Sequence, residues 1–276
     1  MQYRGMDKAQ LDAAYNNSQA VADFPALLTS FKSMSAEIWP AYAHRRNIRY
    51  APQQDSARTR LDVLYGAGPG RKTLLFIHGG YWQACDKEDF AFIARPFLDR
   101  GINVILIEYT LAPQQTMTGI VGEIAQAISF IDANKAALNI EHSALYLAGH
   151  SAGGHLTSLF RSDRRIAKAI PISALVDLLP ISLCWLNDKL RLTPQEIERF
   201  SPVRHIAPGV ETLVCVGGGE LPELVRHSKE YAQRLLQRGE KARFCAVADD
   251  NHFSLLTSLA DADSDFFKTV YAFIND

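Results

Sequence analysis

The hydrophobic residues of this chain fall into short continuous runs that alternate with longer stretches of helical spacing. Strand-length runs lie at residues 47–51, 59–65, 73–78, 102–108, 143–148, 166–172, 211–216 and 242–248. Apolar residues recur every three or four positions, which predicts helices, at residues 6–21, 90–99, 120–134, 152–161, 222–238 and 263–274. This alternation predicts an α/β protein whose mainly parallel central sheet carries helices on both faces.

Residues 175–204 interrupt the alternation. Pro180, Pro194 and Pro202 fall within this stretch, and proline limits the length of any helix or strand. We interpret residues 175–204 as a small cap inserted after the sixth strand, because about thirty residues are too few for a second domain. We therefore expect a single domain over residues 1–276, with the first predicted helix packing over the edge of its functional site.

Length and charge restrict the partners of the chain. It has 276 residues, 47% of them hydrophobic, which suffices for one large core. The 29 basic and 30 acidic residues leave a formal net charge of −1 without a basic run, which argues against a nucleic-acid partner. The start lacks the apolar segment of a secretory signal, and no apolar run approaches the roughly 18 residues of a membrane span. We expect a cytoplasmic protein that acts on a small molecule and binds no membrane, and the oligomeric state, including a homodimer, stays open.

A Gly-His-Ser-Ala-Gly motif at residues 149–153 stands between a predicted strand and a predicted helix. The pattern G-x-S-x-G is typical of a sharp turn that lifts a nucleophilic serine off the end of a strand. Small residues two positions before and after Ser151, here Gly149 and Gly153, let neighbouring backbone pass close to the turn. The motif therefore predicts a serine hydrolase with Ser151 as its nucleophile.

A second motif, His78-Gly79-Gly80, ends the predicted strand at residues 73–78. His-Gly-Gly after a strand is typical of the oxyanion loop of esterases and lipases, because backbone without a Cβ can turn its N–H groups towards a substrate carbonyl. We expect these donors at Gly79, Gly80 and Tyr81. The N–H of Ala152, at the start of the helix after the serine, joins them.

The general base must be a histidine that follows the serine, since this fold places its catalytic groups in the order serine, acid, histidine. His252 follows a strand pattern through a polar turn and is the best candidate. His205 lies in a loop, and His227 lies within a predicted helix, where we expect it to be solvated. The chain contains neither H-E-x-x-H nor paired C-x-x-C motifs, so we expect no metal.

The acid that orients the histidine has two candidates. Glu220 follows the strand at residues 211–216 through three glycines, which is the usual place of this acid and makes it the first choice. Asp177 follows the preceding strand and is the alternative. Either carboxylate would hold the histidine in its productive tautomer and stabilise the imidazolium.

Several segments together resemble the kynurenine formamidase (arylformamidase) branch of the α/β-hydrolases. They lie at residues 78–83, 149–153, 171–178, 186–192, 201–202 and 250–253. The family carries its acid in a D-S-P-E-F stretch, and Glu220-Leu-Pro-Glu-Leu224 occupies that place here, with glutamate instead of aspartate. The resemblance implies hydrolysis of N-formyl-kynurenine to kynurenine and formate without metal or cofactor.

Aromatic residues near these motifs are candidates for the substrate pocket, because aromatic walls suit a flat arene. They are Tyr81, Trp82, Tyr109, Trp185 and Phe253. Two other functions stay open at this point. The same groups would serve a carboxylesterase acting on short-chain acyl or aryl esters, and hydrolase folds also occur as non-catalytic binding modules.

Overall fold

The computed structural model describes residues 3–54, 56–68 and 71–276, so the first two residues of the predicted domain lie outside the described part. Its centre is an eight-stranded sheet in the order β1-β2-β4-β3-β5-β6-β7-β8. The strands are β1 His44–Arg49, β2 Arg60–Leu64, β3 Lys72–Ile77, β4 Asn103–Ile107, β5 Ala144–His150, β6 Ile166–Ile172, β7 Glu211–Gly217 and β8 Ala242–Val247. Strand β2 pairs antiparallel with β1 and β4, and the other five pairs are parallel, which confirms the predicted mainly parallel sheet.

Strand β1 begins three residues earlier than the prediction, and the reason lies in its place at the edge. Its first residues are charged and exposed, so they lack the apolar signal of a buried strand. The pairing with β2 is irregular between Arg45 and Ile48, where Asn47 has a φ of 57°. The Asn47 N–H donates to Asp62 Oδ1 at 2.6 Å, which fixes this bulge.

Helices cover both faces of the sheet. Their bounds are α1 Lys8–Ala14, α2 Phe24–Ala36, α3 Ile38–Ala41, a 3₁₀ helix Lys87–Ala94, α4 Arg95–Leu98, α5 Met117–Ala133, α6 Ala152–Leu159, α7 Leu178–Leu183, α8 Asn187–Leu190, α9 Pro194–Arg199, α10 Pro222–Gln237, α11 Ser254–Ala260 and α12 Asp265–Asn275. None of the helices in the described residues is long and apolar enough to cross a membrane.

Alternation along β3 shows how the two faces are filled. Leu75 and Ile77 belong to the apolar cluster that also contains residues of α5. Leu74 and Phe76 point to the opposite cluster, which contains residues of α12 and the 3₁₀ helix. A strand buried on both faces reads as a continuous apolar run, which is why the sequence predicts β3 so well.

The predicted helix at residues 6–21 is wrong beyond its first half. Helix α1 begins after Asp7, which forms a capping box with Gln10, and ends at Ala14. The next residues are polar, and Asn16 Oδ1 accepts hydrogen bonds from Ser18 Oγ and the Gln19 N–H. Such side chains compete with helical hydrogen bonds, so the chain turns here and α2 starts only after Asp23.

The interrupting stretch between β6 and β7 contains the three short helices α7, α8 and α9. Asp177 caps α7 by accepting the Leu179 N–H at 3.1 Å. Thr193 forms a capping box with Glu196 at the start of α9, with Pro194 in the first turn. Helix α1 packs against α7, so the N-terminal segment and this insertion meet on the same side of the sheet.

The turn from β5 to α6 is pressed directly against β3. A Cβ on Gly153 would lie 2.0 Å from the Ile77 carbonyl oxygen, and a Cβ on Gly149 would lie 2.4 Å from the Gly153 carbonyl oxygen. Both neighbours are backbone atoms and cannot rotate away. The two glycines of the G-x-S-x-G motif are therefore required by packing.

We expect Gly153→Ala to lower the free energy of unfolding by about 1–3 kcal/mol, because a methyl group must displace the end of β3. Gly122→Ala is the matched control, since Gly122 lies in α5 and a Cβ added there would have no other atom within 4 Å. There alanine should raise stability by up to about 1 kcal/mol. Urea denaturation measures both, and equal stability of the two variants would contradict this account.

Candidate active site

Ser151 lies in the turn between β5 and α6. Its backbone has φ 57° and ψ −114°, a combination that costs energy for any residue with a side chain. The turn is held because the Ser151 N–H donates to the Ile172 carbonyl at 2.8 Å and its own carbonyl accepts the His155 N–H at 2.9 Å. The strained conformation is therefore imposed by β6 on one side and α6 on the other.

His252 lies in the loop after β8 and is bonded to Glu220. Its Nδ1 stands 2.6 Å from Glu220 Oε2, and the carboxylate is wholly buried. Because a carboxylate only accepts hydrogen bonds, the proton is assigned to Nδ1. The Nε2 of the neutral ring is then the atom that can accept a proton.

Glu220 is itself held at both oxygens. Its Oε1 accepts the Gly217 N–H at 2.8 Å and the Ser173 hydroxyl, while Oε2 serves His252. The sequence did not point to Ser173. The available signal is that it directly follows β6, whose carboxyl end meets that of β7 at one edge of the sheet.

Asp177 is occupied elsewhere. It caps α7, lies 3.3 Å from Arg204 and accepts the Tyr3 hydroxyl at 3.2 Å. Of the two acids that the sequence left open, the structure joins Glu220 to His252 and gives Asp177 no contact with that ring among the described residues.

The three glycines at residues 217–219 support the His252 loop. The Gly218 N–H donates to the Val247 carbonyl at 2.7 Å, and the Gly219 N–H donates to the Asp250 carbonyl at 2.9 Å. A Cβ on Gly217 would lie 2.2 Å from the Asp250 carbonyl oxygen. Glycine is needed there because the loop that carries the histidine runs directly over the end of β7.

His150 supplies a further support for the same loop. Its Nε2 lies 2.8 Å from the His252 carbonyl oxygen, and the two rings are 4.4 Å apart at their centroids. Burial, with the repulsion that a protonated His252 would add, holds the pKa of His150 well below its usual range. The neutral ring therefore donates its Nε2 proton to the His252 carbonyl.

The loop after β3 turns sharply over the cavity. Gly80 has φ 104°, and its carbonyl accepts the N–H groups of Gln83 and Ala84 at 2.9 Å each. In the described part of the chain, the N–H groups of Gly80, Tyr81 and Ala152 donate to no protein acceptor. These donors are available to a bound carbonyl oxygen.

A buried ion pair anchors this loop. Both nitrogens of His78 face acceptors at 2.7 Å, Nδ1 the Gly79 carbonyl and Nε2 the Glu108 carboxylate. Glu108 also accepts from Arg58 at 2.7 Å and from the Lys87 N–H at 3.0 Å. Burial alone raises the pKa of Glu108, but these positive charges and hydrogen bonds lower it from 4.5 to about 2.

Ser151 and His252 share the wall of a cavity of about 250 Å³. Its lining is mostly apolar and consists of Ser18, Phe24, Leu28, Phe31, Gly79, Gly80, Tyr81, Gln83, Ala84, Cys85, Phe90, His150, Ser151, Trp185, Lys189, His252 and Phe253. Among the described residues, Ser151 Oγ forms no hydrogen bond with the His252 ring. In serine hydrolases such contacts often tighten only when substrate binds.

Three of the five predicted pocket aromatics line the cavity. Tyr81 and Trp185 meet edge to face with centroids 5.5 Å apart, and Phe253 lies beside His252 at 5.2 Å. The Tyr81 hydroxyl donates to the Tyr15 carbonyl at 2.9 Å, which ties the oxyanion loop to the N-terminal segment.

The predictions for Tyr109 and Trp82 are wrong, because both side chains are fully buried in the core. Tyr109 shares the face of β4 that carries Ile105 and Ile107, stacks on His78 at 4.5 Å and donates its hydroxyl to the His78 carbonyl. Trp82 packs edge to face on His155 at 5.1 Å. Neither is among the residues that line the cavity.

Helix α2 supplies cavity residues that the sequence did not indicate. Phe24, Leu28 and Phe31 all line the cavity, and Phe24 contacts Phe253 with centroids 5.1 Å apart. The spacing of four and three residues is the signal of one apolar helix face. The sequence analysis predicted no helix over Phe24–Ala36, so this apolar face was not recognised.

The other candidate bases, His205 and His227, lie outside this arrangement. His227 is buried rather than solvated, with Nε2 3.0 Å from the Tyr15 hydroxyl, and His205 is exposed beside Glu198. Cys85 lines the cavity, but burial raises the pKa of its thiol to about 12. No three His, Cys, Asp or Glu side chains within the described ranges are grouped as a metal site.

We expect the Glu108 ion pair to make the free energy of unfolding depend on pH in the acidic range. The folded pKa near 2 lies below the unfolded value, so this contribution is complete above about pH 4.5 and is lost as the pH falls towards 2. It amounts to up to about 3 kcal/mol. Urea unfolding at a series of pH values should therefore show a shallower acid-induced loss of stability in Glu108→Gln.

Glu37→Gln is the control for that measurement, since the Glu37 side chain is 71% exposed and pairs only loosely with Arg95 at 3.4 Å. Its stability should follow the wild-type pH dependence. If Glu108→Gln also follows the wild-type dependence, the ion pair does not carry the stabilisation described here.

Comparison with known proteins agrees with this geometry. Residues 61–169 match the sequence model of the BD-FAE family. The kynurenine formamidase of Danio rerio is 29% identical over 232 residues, which cover 74% of this chain and 78% of that protein. The kynurenine formamidase of Salmo salar is 29% identical over 236 residues, which cover 75% of this chain and 79% of that protein.

The fold is also found in a solved structure. A protein of Silicibacter sp. TM1040, described as a candidate thioesterase, superposes with a TM-score of 0.83 at 26% identity, over 95% of this chain and 99% of that one. The chain therefore has an α/β-hydrolase fold and is similar to kynurenine formamidases.

Proposed function

We propose that this protein is a metal-independent serine hydrolase that cleaves an aryl formamide, such as N-formyl-kynurenine, to the arylamine and formate. One observation carries the proposal. Ser151, in its strained turn, and His252, bonded to the buried Glu220, line the same cavity. The likeness to fish proteins named kynurenine formamidase supports the formamide as substrate.

In the first step Ser151 Oγ attacks the formyl carbon while His252 Nε2 takes the hydroxyl proton. The C=O double bond becomes a C–O single bond, and its oxygen carries the negative charge. The N–H groups of Gly80, Tyr81 and Ala152 have no other acceptor in the described residues and would bind that oxygen, with Gly79 as the further predicted donor. Glu220 stabilises the imidazolium that forms.

In the second step the tetrahedral intermediate collapses. The C–N bond breaks, His252 gives its proton to the leaving arylamine, and a formyl ester remains on Ser151. Water then attacks this ester, with His252 again as the base, and formate leaves as Ser151 regains its proton.

The cavity is suited to a small acyl group on an aromatic amine. About 250 Å³ is little room for a long acyl chain, whereas Tyr81, Trp185 and Phe253 offer flat contacts to an arene. The same mainly apolar lining would accept an aryl ester, so carboxylesterase activity on short esters is the second candidate. A binding module without catalysis would have no need of the strain at Ser151 or of the Glu220–His252 pair.

We expect Ser151→Ala to lower kcat by several orders of magnitude on every substrate, since the nucleophile is lost. Circular dichroism serves as the folding control.

A fluorophosphonate should label wild-type Ser151, and kcat/KM on N-formyl-kynurenine should exceed that on p-nitrophenyl acetate and butyrate. Preference for the esters would favour the carboxylesterase, and absence of labelling would favour the binding module.

The acid is tested by a pair of variants. Glu220→Ala should reduce kcat on the order of 10³- to 10⁴-fold, because His252 loses its tautomer preference and its counter-charge. Asp177→Ala should act mainly on stability, since Asp177 serves as a helix cap and an ion-pair partner. Glu220→Asp should keep appreciable activity below the wild-type level. The assignment fails if Asp177→Ala abolishes turnover in a folded protein while Glu220→Ala does not.

A further inference from the structure

We propose that Lys189 binds a carboxylate on the substrate, so that the preferred substrates are aryl formamides with an anionic tail. This inference rests on the proposed function and adds the chemical class of the substrate to it. It also assigns a role to a residue that the reaction steps do not use.

Charge is distributed unevenly around the cavity. Among the described lining residues, the Lys189 ammonium is the one side chain that carries a full charge while His252 is neutral. The lining contains no aspartate or glutamate, and most of it is aromatic or aliphatic. A substrate anion would lose its hydration on entering such a cavity, and this loss is unfavourable unless the anion gains a partner. A cation at the rim offsets the loss.

The Lys189 ammonium is free to bind a ligand. Within residues 3–54, 56–68 and 71–276 it forms no salt bridge and no side-chain hydrogen bond. The nearby acid Asp12 is engaged by Lys8 at 2.8 Å and by the Trp185 N–H at 2.7 Å. Its sequence neighbour Asp188 is exposed and forms no ion pair with it.

The backbone around Lys189 is tied to the loop after β3. Lys189 lies on α8, four residues after Trp185, and both residues line the cavity. The Gln83 side chain donates to the Leu186 carbonyl at 2.8 Å, which ties α8 to the oxyanion loop. Lys189, whose side chain is exposed, therefore lines the same cavity as the Tyr81–Trp185 pair.

This arrangement defines what the cavity selects. A ring stacked near Tyr81 and Trp185, with its formyl group at Ser151, can extend an acidic side chain towards Lys189. The lining offers no carboxylate for a substrate ammonium. We therefore expect the anionic group to be selected and an adjacent amino group to be dispensable.

The test uses two ortho-formamidophenyl ketones. One has a side chain that ends in a carboxylate, and in the other a neutral isopropyl group of the same shape replaces the carboxylate. The measured quantity is the ratio of kcat/KM for the anionic to the neutral ketone. Lys189→Met removes the charge and keeps an apolar stem, and Lys189→Glu reverses the charge. Lys229→Met is the charge-matched control, since Lys229 is exposed on α10 away from the cavity.

We expect the ratio to fall about 10-fold or more in Lys189→Met, further in Lys189→Glu, and not at all in Lys229→Met. The wild-type ratio should also decrease as ionic strength rises, because salt screens a charge at the cavity rim. A ratio near one in the wild type, or one that Lys189→Met leaves unchanged, overturns the inference while formamide turnover upholds the proposed function.

The two proposals can fail separately. If neither formamide is hydrolysed, the proposed function falls, and the corresponding pair of ortho-acetoxyphenyl ketones then gives the same charge ratio for an esterase. If the ratio for those esters depends on Lys189, the result supports the binding of a carboxylate by Lys189. If the ratio does not depend on Lys189, the inference is overturned.

Discussion

The arrangement of the site depends on one buried ion pair, between His78 and Glu108. The two residues directly follow the neighbouring strands β3 and β4, where the Gly79–Gly80 loop leaves the sheet. A buried charge is costly unless it is paired and fully hydrogen-bonded, and here the His78 ring, Arg58 and a backbone N–H all contact one carboxylate. Because the second nitrogen of His78 holds the Gly79 carbonyl, the peptide groups of the loop are fixed before any substrate arrives.

A second set of contacts fixes the histidine by its backbone as well as by its ring. Glu220 holds Nδ1, and His150 holds the carbonyl of the same residue. His150 also directly precedes Ser151, so one side chain couples the positions of Ser151 and His252. Preorganisation of this kind matters because the groups need not rearrange as charge develops in the transition state.

The sequence predicts well the strands and the residues that follow their ends. Buried parallel strands are continuous apolar runs, and the residues that follow them meet at one edge, which is why Ser151, His252 and Glu220 could be identified as candidates. Side-chain direction is harder to predict, and Tyr109 and Trp82 point into the core although they adjoin the motifs. Ser173 directly follows a strand and α2 has an apolar face, but neither feature by itself indicates a place in the site. That place arises only when distant segments pack together.

The contact between Phe24 and Phe253 has a consequence for how the protein is made. One ring lies near the start of the chain and the other follows its last strand, so the N-terminal wall of the cavity rests on residues that are translated almost at the end. Helix α2 already has a partner in the 3₁₀ helix, where Phe31 contacts Phe92 with centroids 4.7 Å apart, but Phe24 lacks its contact with Phe253 until the last strand has been made. An emerging chain can thus form much of its core before Phe253 is made, and this side of the cavity around Ser151 is completed only as synthesis finishes.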